Sequence, residues 1–194
     1  MEEVVTPVPA ATVVLAREGE QDIEVLLLKR NAKLVFHGGH WVFPGGRIDA
    51  DDFDGEEKLE YPAAIRAAVR ETREEAGITI ASDQLIHIAH WTTPPRLPRR
   101  FSTWFFLCPL YDAPQVSVDN DEILDHRWLS PTAALAEAEA EQMVLPGPTT
   151  TTLKDMLGFS QLESLVKHVT EGQIRVFPKD SDYYRPKEMG YTAE

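Results

Sequence analysis

The sequence predicts an α/β fold, and three observations carry that expectation. Runs of strand length rich in β-branched, aliphatic and aromatic residues occur at Ala10–Ala16, Asp22–Lys29, Gln84–Trp91, Phe101–Leu110 and Ile123–Leu129. One long segment, Ala63–Ile78 (AAIRAAVRETREEAGI), carries Ile65, Val69, Thr72 and Ala76 at helical spacing. Further helical patterns follow residue 131. A chain of 194 residues is long enough for one well-buried core and short for two. A single domain over 1–194 is therefore expected, with its core at about 10–145 and a helical extension and tail over 146–194.

Composition narrows the partners. With 43% apolar and 26% charged residues the chain reads as an ordinary globular protein. The net charge of −13 disfavours nonspecific contact with a nucleic acid backbone. Cys108, the single cysteine, sits in the apolar run Trp104–Leu110, so a buried thiol is expected and no disulfide can form within the chain. There is no signal-like N-terminus and no apolar run of bilayer length, which makes a reducing, cytoplasmic setting the expectation and gives no membrane partner.

In chain order, Met1–Pro9 is acidic and proline-bearing and reads as a loose end. Ala10–Ala16 is the first strand. Arg17–Gln21, with Gly19, makes a hairpin turn into Asp22–Lys29, which puts Ile23, Val25 and Leu27 on one face, with Leu26 and Leu28 adding apolar weight. Arg30, at that strand's end, is a candidate phosphate contact. Asn31–His40 reads as a mobile, substrate-facing loop. His37 and His40 lack a third ligand at metal-site spacing. Trp41-Val42-Phe43-Pro44-Gly45-Gly46 is a short apolar run ending in a glycine turn that permits close backbone approach to a ligand. Arg47 follows as a second candidate phosphate contact.

In Ala63–Ile78, Glu71, Glu74 and Glu75 are expected within roughly 100° of arc, opposite the apolar face. Three carboxylates so crowded repel one another unless a cation sits among them, and Mg²⁺ takes such oxygen ligands together with phosphate and water. Arg70 and Glu74 form an i,i+4 pair, and Gly77 ends the helix. An acidic outer face with no such role is the plainer alternative.

Beyond the helix, Gln84–Trp91 alternates and places Leu85, His87, Ala89 and Trp91 on one face. The proline-rich stretch Thr92–Pro98 is a stiff loop near which Arg96, Arg99 and Arg100 gather positive charge; Arg99 and Arg100 are candidates for an anionic ligand. Asp119–Asp121 form a turn into Ile123–Leu129. Pro131 starts a helix to about Met143. Pro146-Gly147-Pro148 breaks it, Thr149–Thr152 offers a cap for the next helix, and a helical pattern continues to about Thr170. The tail from Gly172 reads either as an extended arm or as a contribution to a homodimer.

The turn Trp41–Gly46 and the segment Arg70–Ile78 together resemble the Nudix hydrolase family. Its box runs Gly, five residues, Glu, seven residues, then Arg-Glu-aliphatic-any-Glu-Glu-any-Gly-aliphatic. Arg70, Glu71, Thr72, Arg73, Glu74, Glu75, Ala76, Gly77 and Ile78 follow its second half, with Thr72 the one departure. The first half is out of register: counted back from Arg70, the family's Glu falls on Pro62 and its Gly on Glu56. Gly46 stands 24 residues before Arg70, where the box expects 14. An insertion of about ten residues within Asp49–Glu60 is expected, with Glu60 the nearest substitute for the missing Glu.

The resemblance implies a mixed β-sheet between helices, with extra C-terminal helices. It also implies Mg²⁺ or Mn²⁺ held by Glu71, Glu74, Glu75 and the Gly46 carbonyl, and cleavage of a small-molecule diphosphate. Glu122, six residues before Trp128, matches a loop glutamate of many Nudix proteins and is the candidate base or extra ligand; Glu71 is the other option for the base. The runs around Leu26–Gly46 and Trp91–Phe101 are similar to the branch that includes coenzyme A diphosphatases. That points to coenzyme A or acyl-coenzyme A, with ADP-ribose or a related nucleotide sugar as the alternative and a non-catalytic nucleotide sensor as a third.

Overall fold

The computed structural model describes residues 5–55 and 58–192. The strands are β1 (Val8–Arg17), β2 (Glu24–Arg30), β3 (Trp41–Val42), β4 (Gly45–Arg47), β5 (Ile86–Thr92), β6 (Phe101–Leu110), β7 (Ile123–Leu129) and β8 (Arg175–Phe177). The helices are α1 (Glu60–Ala76), α2 (Pro131–Glu139), α3 (Gly147–Asp155) and α4 (Leu162–Glu171). The strands form one mixed sheet in the order β3-β2-β1-β6-β5-β8, with β4 paired to β1 and β7 to β2. β1 runs parallel to β6 and antiparallel to β2 and β4. The expected α/β architecture, a mixed sheet between helices, is what the chain forms.

The alternation of β1 and β2 explains the two layers. Ala11, Val13, Leu15, Leu26 and Leu28 point to the face covered by α1, with Trp104, Phe106 and Cys108 of β6. Val14, Ala16, Val25 and Leu27 point to the other face, where Leu153 of α3 and Leu162 and Leu165 of α4 cover them. The C-terminal helices therefore belong to the core of the sheet. Leu162 N–H, at the start of α4, donates to the Glu18 carboxylate of the β1–β2 hairpin at 2.8 Å, which satisfies one of the donors a helix start leaves open.

Three expectations change. First, the buried stripe of α1 is Ala63, Ala64, Ala67, Ala68, Thr72, Glu75 and Ala76, while Ile65 and Val69 only flank it. Alanines let the helix lie close against the sheet, and Glu75 is inside that contact rather than opposite it. Second, β5 does not keep one face: a bulge between His87 and Ala89 puts Leu85 and His87 on the α1 side and Ala89 and Trp91 on the other. Third, α2 stops at Glu139, and α3 starts at Gly147 with Pro148 in its first turn, so the threonines lie inside the helix. The tail packs as an arm on its own sheet, one of the two readings the sequence left open for it. β8 pairs with β5, Phe177 stacks on Trp91 at 3.8 Å, and the Tyr184 hydroxyl reaches His87 Nε2 at 3.1 Å.

Candidate functional site

The glycine turn and α1 meet at the heart of the site. Gly45 N–H donates to Glu75 Oε2 at 2.9 Å. A Cβ on Gly45 would overlap the Ala11 carbonyl of β1, and one on Gly46 would overlap the Glu71 carboxylate. Gly45 is therefore glycine by close approach to backbone, whereas at Gly46 a Cβ would have to displace the Glu71 carboxylate. Glu75 is 3% exposed and Glu71 half-buried, whereas Glu74 is 59% exposed. Burial pushes the Glu75 carboxyl up to about 8, against the pull of the Gly45 N–H, and the charge of Glu71 raises it further. Burial also raises Glu71, partly offset by its bond from Arg70.

Two arginines divide the acids. Arg70 donates to Glu71 at 2.8 Å, to Glu74 at 3.2 Å, to the Arg47 carbonyl at 3.0 Å and to Asp52 at 2.8 and 3.2 Å. On the other side Arg30 stands 3.8 Å from Glu75 and donates to Glu122 at 3.2 Å. Glu122, half-exposed on the loop before β7, is held by Asn31 N–H on its carbonyl at 2.8 Å. Thus Glu71, Glu75, Glu122, Gly46 and Arg30 come together, with Glu74 on the rim. Arg47 is exposed on β4 beside them, and Arg99 is exposed in the proline loop.

Arg100 is placed otherwise. It is buried, donating to the Thr93 carbonyl at 3.0 Å and the Val5 carbonyl at 2.6 Å, so its donors go to the backbone. Glu60 is also elsewhere. It lies 11 residues before Glu71 on α1, on the order of 16 Å along the axis, and accepts from Trp104 Nε1 at 2.8 Å.

The acid that meets Arg70 is Asp52, on a short 3-10 turn at Ala50–Asp52. Burial raises its carboxyl, but the bonds from Arg70 and from Asp49 N–H at 2.8 Å, with the charges of Arg70 and Arg66, hold it below its usual value. Counting forward from Gly46 finds it: five residues separate Gly46 from Asp52, the spacing the box assigns to its Glu. The extra residues then fall between Asp52 and α1. Thr72 is accommodated because its hydroxyl donates to the Ala68 carbonyl at 2.7 Å.

A donor set of carboxylates with one backbone carbonyl suits a hard cation. Among the described residues no three His, Cys, Asp or Glu side chains converge into a ready cage. Mg²⁺ seldom uses such a cage and completes its shell with substrate phosphate and water, so the residues present fit.

Fold and site together define a class: an α/β domain in which a glycine turn seats an acidic helix against one face of a mixed sheet. The family model described as NUDIX domain matches residues 6–145, and the chain belongs to the Nudix family. A curated relative in Caenorhabditis elegans named as nudix hydrolase 7 is 30% identical, over 72% of this chain and 57% of its own length. The acyl-coenzyme A diphosphatase NUDT19 of Xenopus laevis is 24% identical, over 79% of this chain and 64% of its own length. The chain thus spans less than two thirds of both these relatives. Among solved structures, a NUDIX hydrolase from Alicyclobacillus acidocaldarius matches with a TM-score of 0.75 and 24% identity, over 88% of this chain and all of that one. A C. elegans Ap4A hydrolase binary complex matches with a TM-score of 0.54 and 26% identity, over 82% and 98%. Among the described residues, no helix is long and apolar enough to cross a membrane.

Proposed function

We propose that the chain hydrolyses a diphosphate bond in a nucleoside diphosphate derivative, with coenzyme A or an acyl-coenzyme A as the leading substrate. The observation that carries the reaction class is the buried Glu75 locked to the Gly45–Gly46 turn with Glu71 beside it. An acid so costly to bury serves no packing purpose that an alanine would not serve better. The leading substrate is supported by the likeness to NUDT19, named an acyl-coenzyme A diphosphatase.

Glu71, Glu74, Glu75 and the Gly46 carbonyl would hold Mg²⁺ or Mn²⁺. When bound, such an ion neutralises charge on phosphate oxygens and lowers the pKa of water. Arg70 orients Glu71 and Glu74, and Asp52 fixes Arg70. Glu122, half-exposed and within reach of Arg30, is the base that accepts the proton of the attacking water, with Glu71 the other option. Arg30, Arg47 and Arg99 take phosphate oxygens. An open groove of about 730 Å³ runs along α1, lined by Arg66, Arg70, Arg73 and Glu74, and Glu74 is the acid it shares with the site.

The test is incubation of coenzyme A with Mg²⁺ in ¹⁸O-water. Two phosphomonoesters, one of them labelled, and no product in EDTA are expected. Coenzyme A that binds and stays intact would move the chain to the sensor class.

A further inference from the structure

Two segments of the chain carry no acid of their own. Residues 31–43 and 91–111 contain no Asp or Glu in a chain that holds 32, and they contribute Lys33, Arg96 and Arg99, with Arg100 buried against backbone carbonyls. They meet ring to ring: Phe36 and Phe101 have centroids 4.9 Å apart, His37 lies 4.0 Å from Phe36, and His40 lies 5.0 Å from His37.

The first loop is folded on itself rather than splayed. Gly39 N–H donates to the Arg30 carbonyl at 3.0 Å and His40 N–H to the His37 carbonyl at 3.1 Å. His37 is held at φ 52°, in the left-handed region. Burial, helped by His40 and Arg30, lowers His37 to about 4, so its ring is neutral near pH 7. Val35, next to Phe36, is 81% exposed.

Arg30 links this ladder to the acids. Its Nε donates to the Phe36 carbonyl at 3.2 Å while its other nitrogens face Glu75 and Glu122. One guanidinium therefore contacts both the Phe36 backbone and the carboxylates.

We propose that the Phe36–Phe101 ring pair, with His37, holds the nucleobase of the substrate while its diphosphate lies at Glu71 and Glu75. This rests on the diphosphate reading above and adds the specificity determinant. A flat heterocycle gains from stacking on rings, and a neutral imidazole edge offers one donor or acceptor. An acid-free rim does not repel the anionic ligand on its way in. Arg30, bonded to the Phe36 carbonyl and facing Glu75 and Glu122, joins the loop of the ring pair to the acids that would take the diphosphate.

The experiment is calorimetric titration of the parent, Phe36→Leu and Phe36→Trp with adenosine 5′-monophosphate and with ribose 5-phosphate. The parent is expected to prefer the nucleotide by about tenfold, the scale of one base–aromatic stack. Phe36→Leu, which keeps an apolar side chain at that place, removes most of that preference, and Phe36→Trp retains it. Equal or absent binding of the two probes by the parent overturns the inference, as does a preference that survives in Phe36→Leu. Because the probes are not cleaved, a parent that shows the preference but hydrolyses no diphosphate leaves this inference standing and removes the proposed activity.

Discussion

Gly45 N–H donates to the carboxylate of Glu75 at 2.9 Å, across 30 residues of sequence. That bond fixes the turn to the helix and leaves an acid buried at the junction. Glu75→Gln keeps an oxygen for the Gly45 N–H and removes a charge that burial disfavours. Its Tm in EDTA is expected to equal or exceed that of the parent, while Mg²⁺-dependent turnover is lost. A marked drop in Tm would show that Glu75 is held for stability instead.

Gly46 tests the geometry from the other side. In Gly46→Ala the new Cβ meets the Glu71 carboxylate and displaces it. Turnover is expected to fall roughly 100-fold, as small misplacements of reacting groups do, with a modest change in Tm. Gly147→Ala, where a Cβ meets nothing within 4 Å, is the matched control and should leave turnover unchanged.

Asp52 anchors Arg70, which in turn orients Glu71 and Glu74. Asp52→Ala leaves a half-buried guanidinium without its main partner and is expected to cost about 2 kcal/mol in urea unfolding. It should also lower kcat more than it raises KM. An unaltered kcat would remove Asp52 from the positioning chain.

Arg99 and Arg100 are neighbours with opposite expectations. Arg100→Ala loses two bonds to backbone carbonyls and should lower Tm. Arg99→Ala should leave Tm alone and raise KM for an anionic substrate. Salt titration of KM in the parent and in Arg99→Ala checks the second expectation, since a lost phosphate contact flattens the salt dependence.

The C-terminal arm closes over two buried histidines. Burial lowers His87 to about 4, against a small lift from its bond to the Phe105 carbonyl, and burial with the nearby His87 lowers His90 to about 3. Their folded values lie below the unfolded value near 6.5, so the unfolded chain binds the extra protons. Stability is then whole above about pH 6.5 and falls as the pH drops toward 3, by a few kcal/mol for the pair. A Tm profile over that window should slope, and His87→Gln should flatten it in part.

Much of this was legible in the chain, for definite reasons. Strands buried on both faces read as continuous apolar runs, so β1, β2 and β6 could be placed, and Gly77 ended α1 with φ 67° as a glycine stop should. The glutamates of Arg70–Glu75 could be named through the resemblance to the family's box, since their spacing alone left a plain acidic face open. Other features depend on what packs against what. Glu75 is buried because the backbone of Gly45 covers it, which periodicity cannot see. The bulge in β5 shifts every later side chain by one place, so simple alternation fails after His87. Arg100 looks like Arg99 until the carbonyls of Val5 and Thr93 claim it. Asp52 was the exception that counting could reach: measured forward from the glycine turn, it stands where the box expects an acid.

The most direct measurement is a mass-spectrometric product screen of parent and Glu75→Gln with Mg²⁺. The panel is coenzyme A, acetyl-coenzyme A, ADP-ribose, NADH, diadenosine polyphosphates and nucleoside triphosphates. The account predicts that the parent splits coenzyme A or its acyl ester into two phosphomonoesters and that Glu75→Gln splits nothing on the panel. Equal cleavage by both proteins, or none by the parent with Mg²⁺ or Mn²⁺, would contradict it.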